Sequence, residues 1–223
     1  MNNHESRLTF DVSRFTFDVY LVGVGGQGVL TIGNLITEAA ARQSVPVIFY
    51  PTKGMAQRGG AVKARLRLGR EAVGPNIPEH GADLVIAMER SEALKAVRFI
   101  KPGGDFVLFG RVWAPAAVMA YNTDRSGRQH PSGKADYPTL EQVRGQVQEA
   151  GGRMQYLDPA NLPLHEGAPV PANIFVLGAA LGHTGLGEVL DSSEVARLVQ
   201  NRWKKGAVRN SFAFQAGLEA EPR

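Results

Sequence analysis

A three-layer α/β/α fold, with a mostly parallel (mixed) sheet and a helical C-terminal third, is predicted for this chain on three observations. Residues 18–22 read as a strand that runs straight into the glycine turn GVGGQGV at 23–29, and the apolar positions Val29, Ile32, Ile36 and Ala40 then recur at helical spacing to about Gln43. A β-branched and aromatic run at 45–50 supplies the next strand, so strand, glycine turn, helix and strand open a Rossmann-like unit. Beyond about residue 172 the apolar positions are helical.

The remaining elements follow in order. Pro51 is expected to end the second strand. Residues 61–68 alternate, with Val62, Ala64, Leu66 and Leu68 on one face and Lys63, Arg65 and Arg67 on a wet, basic one. A turn around 74–78 leads to the nearly continuous apolar run 83–88, suited to a central strand, and then to a short helix over 90–99. A turn at 101–104 feeds a strand at 105–109. Periodicity then dissolves into a polar, Gly/Ser/Asp/Arg-rich insertion at about 111–138. Helix returns at 139–150, a strand at 153–157, and a proline-bearing loop spans 158–171. Residues 174–181 are apolar on every side, Asp191 with Glu194 forms a capping pair for a helix through Trp203, and 207–218 forms a last helix. Residues 1–16 read as a tail and 17–223 as a single domain.

Composition narrows the function. The 25 Lys and Arg against 21 Asp and Glu leave a net charge of only +4, too small and dispersed to point to nucleic acid or a membrane surface. No cysteine occurs, which excludes a disulfide, a thiolate nucleophile and cysteine ligation of an iron–sulfur cluster by this chain. No basic start with an apolar run opens the chain, and no stretch approaches ~18 consecutive apolar residues, so a cytoplasmic protein is expected.

Two glycine-rich turns carry the chemistry. Gly23, Gly25 and Gly28 have the GxGxxG spacing between a strand and a helix, where the glycines permit a tight turn, a close approach of backbone to a bound group, and packing of helix on strand. Free N–H groups at the helix start then attract an anion. About thirty residues on, KGMAQRGG at 53–60 adds Lys53 as a mobile charge, Arg58 as a bidentate fork and Gln57 as an amide that donates or accepts. The alternative reading of this second turn is a flexible loop with solvated charges. Residues 45–53 contain no Asp or Glu, so the acidic residue that would hold the ribose of NAD is missing; Lys53 there suits a 2′-phosphate of NADP or a phosphate of another ligand such as coenzyme A. The five histidines lack metal-ligand spacing, and no GxSxG elbow is present. Asn173 reads as a capping or buried hydrogen-bonding residue, or as part of an active site, and Gly178 and Gly182 as a close-packing seam.

The ordered set GVGGQGV, KGMAQRGG, VPANIFVLGAALG and the terminal KKGAVRNSFAFQAGLEA resembles the gamma-type subunit or domain of 2-oxoacid:ferredoxin oxidoreductases, closest to the beta subunit of indolepyruvate ferredoxin oxidoreductase, over about 17–217. The resemblance implies decarboxylation of a 2-oxoacid on thiamine diphosphate, electron flow through iron–sulfur clusters to ferredoxin or another acceptor, and transfer of the acyl group to coenzyme A. With no cysteine and no GDG-type thiamine motif here, it implies that both cofactors sit on a larger partner chain. It places Gly25, Gly26, Gln27 and Gly28, with Gly54, Met55, Gln57, Arg58 and Gly59, near the shared active centre or a coenzyme channel; Lys53 stands where the family has a less basic residue, often His, so its part is inferred from charge. No catalytic acid, base or nucleophile, no metal ligand and no tightly bound cofactor is assigned to this chain. Trp203, Phe212 and Phe214 are expected either at the partner surface or in the core. The competing readings are a free-standing NADP-dependent oxidoreductase and a non-catalytic nucleotide-binding or scaffold domain.

Overall fold

The computed structural model describes residues 16–53, 60–70, 72–112 and 137–223, with the Lys53 side chain also outside the description. Most of the expected N-terminal tail and polar insertion therefore lies outside the described residues.

A six-stranded sheet forms the middle layer: β1 (Phe17–Val24), β2 (Val47–Lys53), β3 (Ala61–Leu68), β4 (Ala82–Glu89), β5 (Ile100–Arg111) and β6 (Arg153–Leu157), in the order β2-β3-β1-β4-β5-β6. The run β1-β4-β5-β6 is parallel, whereas β3 is antiparallel to both β1 and β2. The expected mostly parallel, mixed sheet is thus present, with β3 as its reversed strand. β1 lies at the centre and all eight of its residues are buried. Its alternation builds both cores: Val19 and Leu21 face one side, Tyr20 and Val22 the other.

Helix α1 (Val29–Arg42) lays Ile32, Leu35, Ile36 and Ala39 on the first face. Helices α2 (Arg90–Ala96), continued by a 3-10 turn at Val97–Phe99, and α3 (Leu140–Glu149) cover the second. A full capping box starts α3: Thr139 accepts from the Gln142 N–H while the Gln142 side chain accepts from the Thr139 N–H. The C-terminal third adds α4 (Ala172–His183), α5 (Leu186–Val189), α6 (Ser192–Arg202) and α7 (Ala207–Leu218). α4 is buried continuously from Ile174 to Leu181, and α7 crosses it so closely that a Cβ at Gly178 would strike the Phe214 carbonyl and one at Gly217 the Phe175 carbonyl. The predicted glycine seam is real, with Gly217 as its unanticipated third member beside Gly178 and Gly182.

Several expectations need correction. Pro51 does not end β2, which continues to Lys53; β2 is the outer strand with β3 as its sole neighbour, a position that tolerates a residue without an N–H. Residues 101–104 belong to β5 rather than to a turn before it. The basic face of β3 is only partly wet. The Arg67 side chain is 11% exposed and clamps the buried Asp18 with Nε and Nη2, each at 3.0 Å. Arg65 lies over the Tyr20 ring at 5.7 Å, Tyr20 stacks on Phe99 at 4.2 Å, and burial raises the Tyr20 phenol above its usual range against the pull of Arg65 and Arg98. The Asp191–Glu194 pair is half right: Asp191 caps the Ser193 N–H at 2.8 Å, but Glu194 binds Arg42 and Arg197. The loop over 158–171 contains a small hairpin, β7 (Leu164–His165) and β8 (Ala168–Pro169).

Candidate functional site

The glycine turn leaves β1 at the carboxyl edge of the sheet, where the topology switches: the chain passes from β1 toward β2 and β3 on one side and from β4 toward β5 and β6 on the other. Such crevices are where open α/β sheets hold ligands. Here a cleft of about 280 Å³ is lined by Gly26, Gln27 and Gly28 from the turn, Met88 from the end of β4, Phe109 and Arg111 from β5, and Ala172 and Asn173 from the start of α4. A larger groove of about 640 Å³ on the α2 and α3 side, lined by Lys63, His80, Lys95 and Arg98 among others, is wide open and away from the glycine turn, so its size does not make it the better candidate.

Glycine is required here for identifiable reasons. Gly26 and Gly28 have left-handed φ of +97° and +77°, which side chains resist. A Cβ at Gly23 would lie 2.7 Å from Gln27 Oε1 and 2.8 Å from Val29 Cγ2. The role expected of the third glycine is corrected: Gly28 makes room for Asn173 of α4, not for β1, since a Cβ on it would lie 2.5 Å from the Asn173 amide nitrogen. Packing of α1 on the sheet relies on Gly33 against Phe49.

The predicted site residues separate into two groups. Gly25, Gly26, Gln27 and Gly28 come together at the cleft or beside it; Gly25 donates its N–H to the Gly60 carbonyl at 3.0 Å and so holds the base of the β2–β3 connection against the first turn. Gln27 is hydrogen-bonded within the chain through both amide atoms, Oε1 accepting from the Val24 N–H at 2.9 Å and Nε2 donating to the Met88 carbonyl at 3.2 Å. It ties β1 to β4 while also lining the cleft. Lys53 ends β2 opposite Val62. Gly54, Met55, Gln57, Arg58 and Gly59 lie outside the described residues. The second turn joins antiparallel strands instead of leading from strand to helix, yet it leaves from the same sheet edge, because β2 and β1 point the same way on either side of β3.

Met88, Phe109 and Arg111 were not singled out by sequence reasoning; their common signal is position at the carboxyl ends of central strands. Arg111 is the cleft's charged residue, and none of its described lining residues is acidic. Both helices that begin at the cleft do so without a side-chain cap, α1 after Gly28 and α4 after Pro171. Their first-turn N–H groups add positive character. The arrangement can receive an anion. Among its described lining residues are a guanidinium, two amides and a thioether, but no carboxylate, imidazole, hydroxyl or thiol to act as acid, base or nucleophile. The dinucleotide reading loses its geometry as well, since β3 intervenes where a second parallel strand would lie beside β1.

A mixed α/β sheet with one reversed strand and a cleft of glycine backbone and helix starts at its switch point defines an α/β domain of open-sheet type. The chain belongs to the pyruvate ferredoxin/flavodoxin oxidoreductase family, whose model matches residues 18–220. It is 34% identical over 206 residues to "Indolepyruvate oxidoreductase subunit IorB" of Thermococcus kodakarensis, covering 92% of this chain and 95% of that one, and 34% identical over 166 residues to the IorB of Archaeoglobus fulgidus, covering 74% and 76%. The crystal structure of pyruvate oxidoreductase subunit PORC from Thermotoga maritima has the same fold, with a TM-score of 0.63 at 21% identity over 93% of this chain and 97% of that one. No helix among the described residues is long and apolar enough to cross a membrane.

Proposed function

We propose that this chain is the accessory catalytic subunit of a thiamine diphosphate-dependent 2-oxoacid:ferredoxin oxidoreductase that acts on an aryl pyruvate such as indolepyruvate and passes the acyl group to coenzyme A. The accessory role is carried by one observation: the cleft is built to hold and shield, with no acid–base or nucleophilic pair among its described lining residues. The aryl substrate is supported by the IorB relatives, of which the Thermococcus kodakarensis protein matches 92% of the chain.

The residues of this chain do not fit an iron–sulfur cluster, because there is no cysteine to ligate one, and that centre belongs to a larger partner together with thiamine diphosphate. They do fit an anionic group. Thiamine diphosphate, held by the partner, supplies the stabilised carbanion chemistry of decarboxylation. This chain closes over that centre: the glycine turn, held to β4 by Gln27, presents backbone N–H groups, while Arg111 and Asn173 complete the wall and Met88 and Phe109 exclude water. By their charge, Lys53 and Arg58 suit a phosphate or carboxylate.

Reconstitution tests this assignment. The purified chain with indolepyruvate, coenzyme A and an electron acceptor should show no turnover, and adding the thiamine- and cluster-bearing chain should restore it. Oxidation of the ketoacid by this chain unaided would refute the proposal.

A further inference from the structure

The structure assigns Asn173 as a ligand-contacting residue of this cleft: we propose that its carboxamide recognises one anionic oxygen, a carboxylate or a phosphate, of the molecule bound there. The inference rests on the cleft being the ligand site and adds which side chain reads the ligand and the chemistry it reads.

Asn173 is the second residue of α4, half-buried, on the wall of the 280 Å³ cleft beside the Gly26–Gly28 backbone. Its position is tightly defined, since the space a Cβ would need at Gly28 is filled by Asn173 Nδ2, Cγ and Cβ at 2.5, 2.7 and 2.9 Å. Only glycine at position 28 lets the amide stand there. The amide is also uncommitted. Gln27, the other carboxamide of the wall, uses its oxygen on Val24 and its nitrogen on Met88, whereas the Asn173 side chain makes no hydrogen bond with any described residue and does not cap its own helix, which starts from Pro171 without a side-chain cap. An amide held on the wall of a cleft, with no partner among the described residues, is free to pair with a molecule bound there. The surroundings set the sign of that partner: no described lining residue is acidic and two helices start at the cleft without a side-chain cap, so an anionic oxygen is favoured and a cation is not.

Two variants of the reconstituted two-chain enzyme test this. Asn173→Asp keeps the shape and adds a negative charge; Asn173→Ala removes the amide. Co-purification and thermal melting first confirm that each assembles. KM is then measured separately for the 2-oxoacid and for coenzyme A. Asn173→Asp is expected to raise the KM of one of these two anions by about tenfold or more, the size of one lost charge-assisted hydrogen bond, with a smaller rise for Asn173→Ala and the other KM unmoved. A shift for the 2-oxoacid identifies the oxygen as a carboxylate, and a shift for coenzyme A identifies a phosphate. Assembled variants with both KM values at wild type overturn the assignment, as does an equal rise in both KM values for both variants together with a lowered melting point, which marks a packing role. If the wild-type chain forms no active complex at all, it is the accessory-subunit reading that fails.

Discussion

Gln27 shows how much one side chain can settle. Its two hydrogen bonds join the last turn of β1 to the Met88 carbonyl, and the glycine at position 23 exists partly to admit its oxygen. Gln27→Leu keeps the bulk but leaves the Val24 N–H and the Met88 carbonyl without partners, which should cost about 2 kcal/mol and lower the melting point by about 4–8 °C. Gln27→Glu retains an acceptor for Val24 but sets a carboxylate oxygen against the Met88 carbonyl, so a loss at least as large is expected; equal melting curves for wild type and Gln27→Leu would show that the bonds do not matter. The sequence marks the glycine turn by spacing alone, and the turn is where it was expected. What spacing cannot show is where an amide spends its hydrogen bonds, because Met88 is 61 residues away from Gln27 in the chain. A glutamine inside a glycine motif reads as a ligand contact, and only the end of β4 beside it reveals its structural bonds as well. Asn173 is the converse: it reads as a helix-start residue, and only the packing of α4 against Gly28 brings it to the cleft.

At the scale of elements, α4 and α7 meet through backbone. Gly217 sits under the Phe175 carbonyl and Gly178 under that of Phe214, so Gly217→Ala should force the helices apart and destabilise the fold by about 1–3 kcal/mol. Gly145, inside α3, has open space around its missing Cβ, and Gly145→Ala should instead add about 0.5–1 kcal/mol. Denaturant unfolding of the two variants gives opposite signs if the contacts are as described. Elements with strong periodicity were legible: α1, β3, α3, β6 and α7 lie where apolar spacing or a capping pair put them. The failures share one cause, since each depends on neighbours in space. Pro51 survives in β2 because no further strand needs its N–H, Arg67 leaves water because Asp18 faces it across the β1–β3 pair, and β7 and β8 are too short for any period to register. The terminal aromatics also separate by context: Phe214 is core, Trp203 packs partly buried against it, and Phe212 is 41% exposed with Val208 and Leu164.

For the molecule as a whole, the decisive feature is a sheet with a single reversed strand. β3 returns between β2 and β1, and the hydrogen bond from Gly25 to Gly60 secures that return against the first glycine turn. In the assembled enzyme, Arg58→Ala should lower coenzyme A-dependent turnover while leaving the complex intact on gel filtration; unchanged kinetics would remove Arg58 from the site. The overall α/β plan was readable from the alternation of strand and helix patterns, but the reversal was not, because a strand's direction is set by which neighbour it finds.

That single reversal also works as a ruler. With β3 between them, the ends of β1 and β2 stand two strand spacings apart, about 10 Å. An isolated phosphate is too short to touch the backbone at both strand ends at once, so a molecule that engages both must span that distance with an extended body.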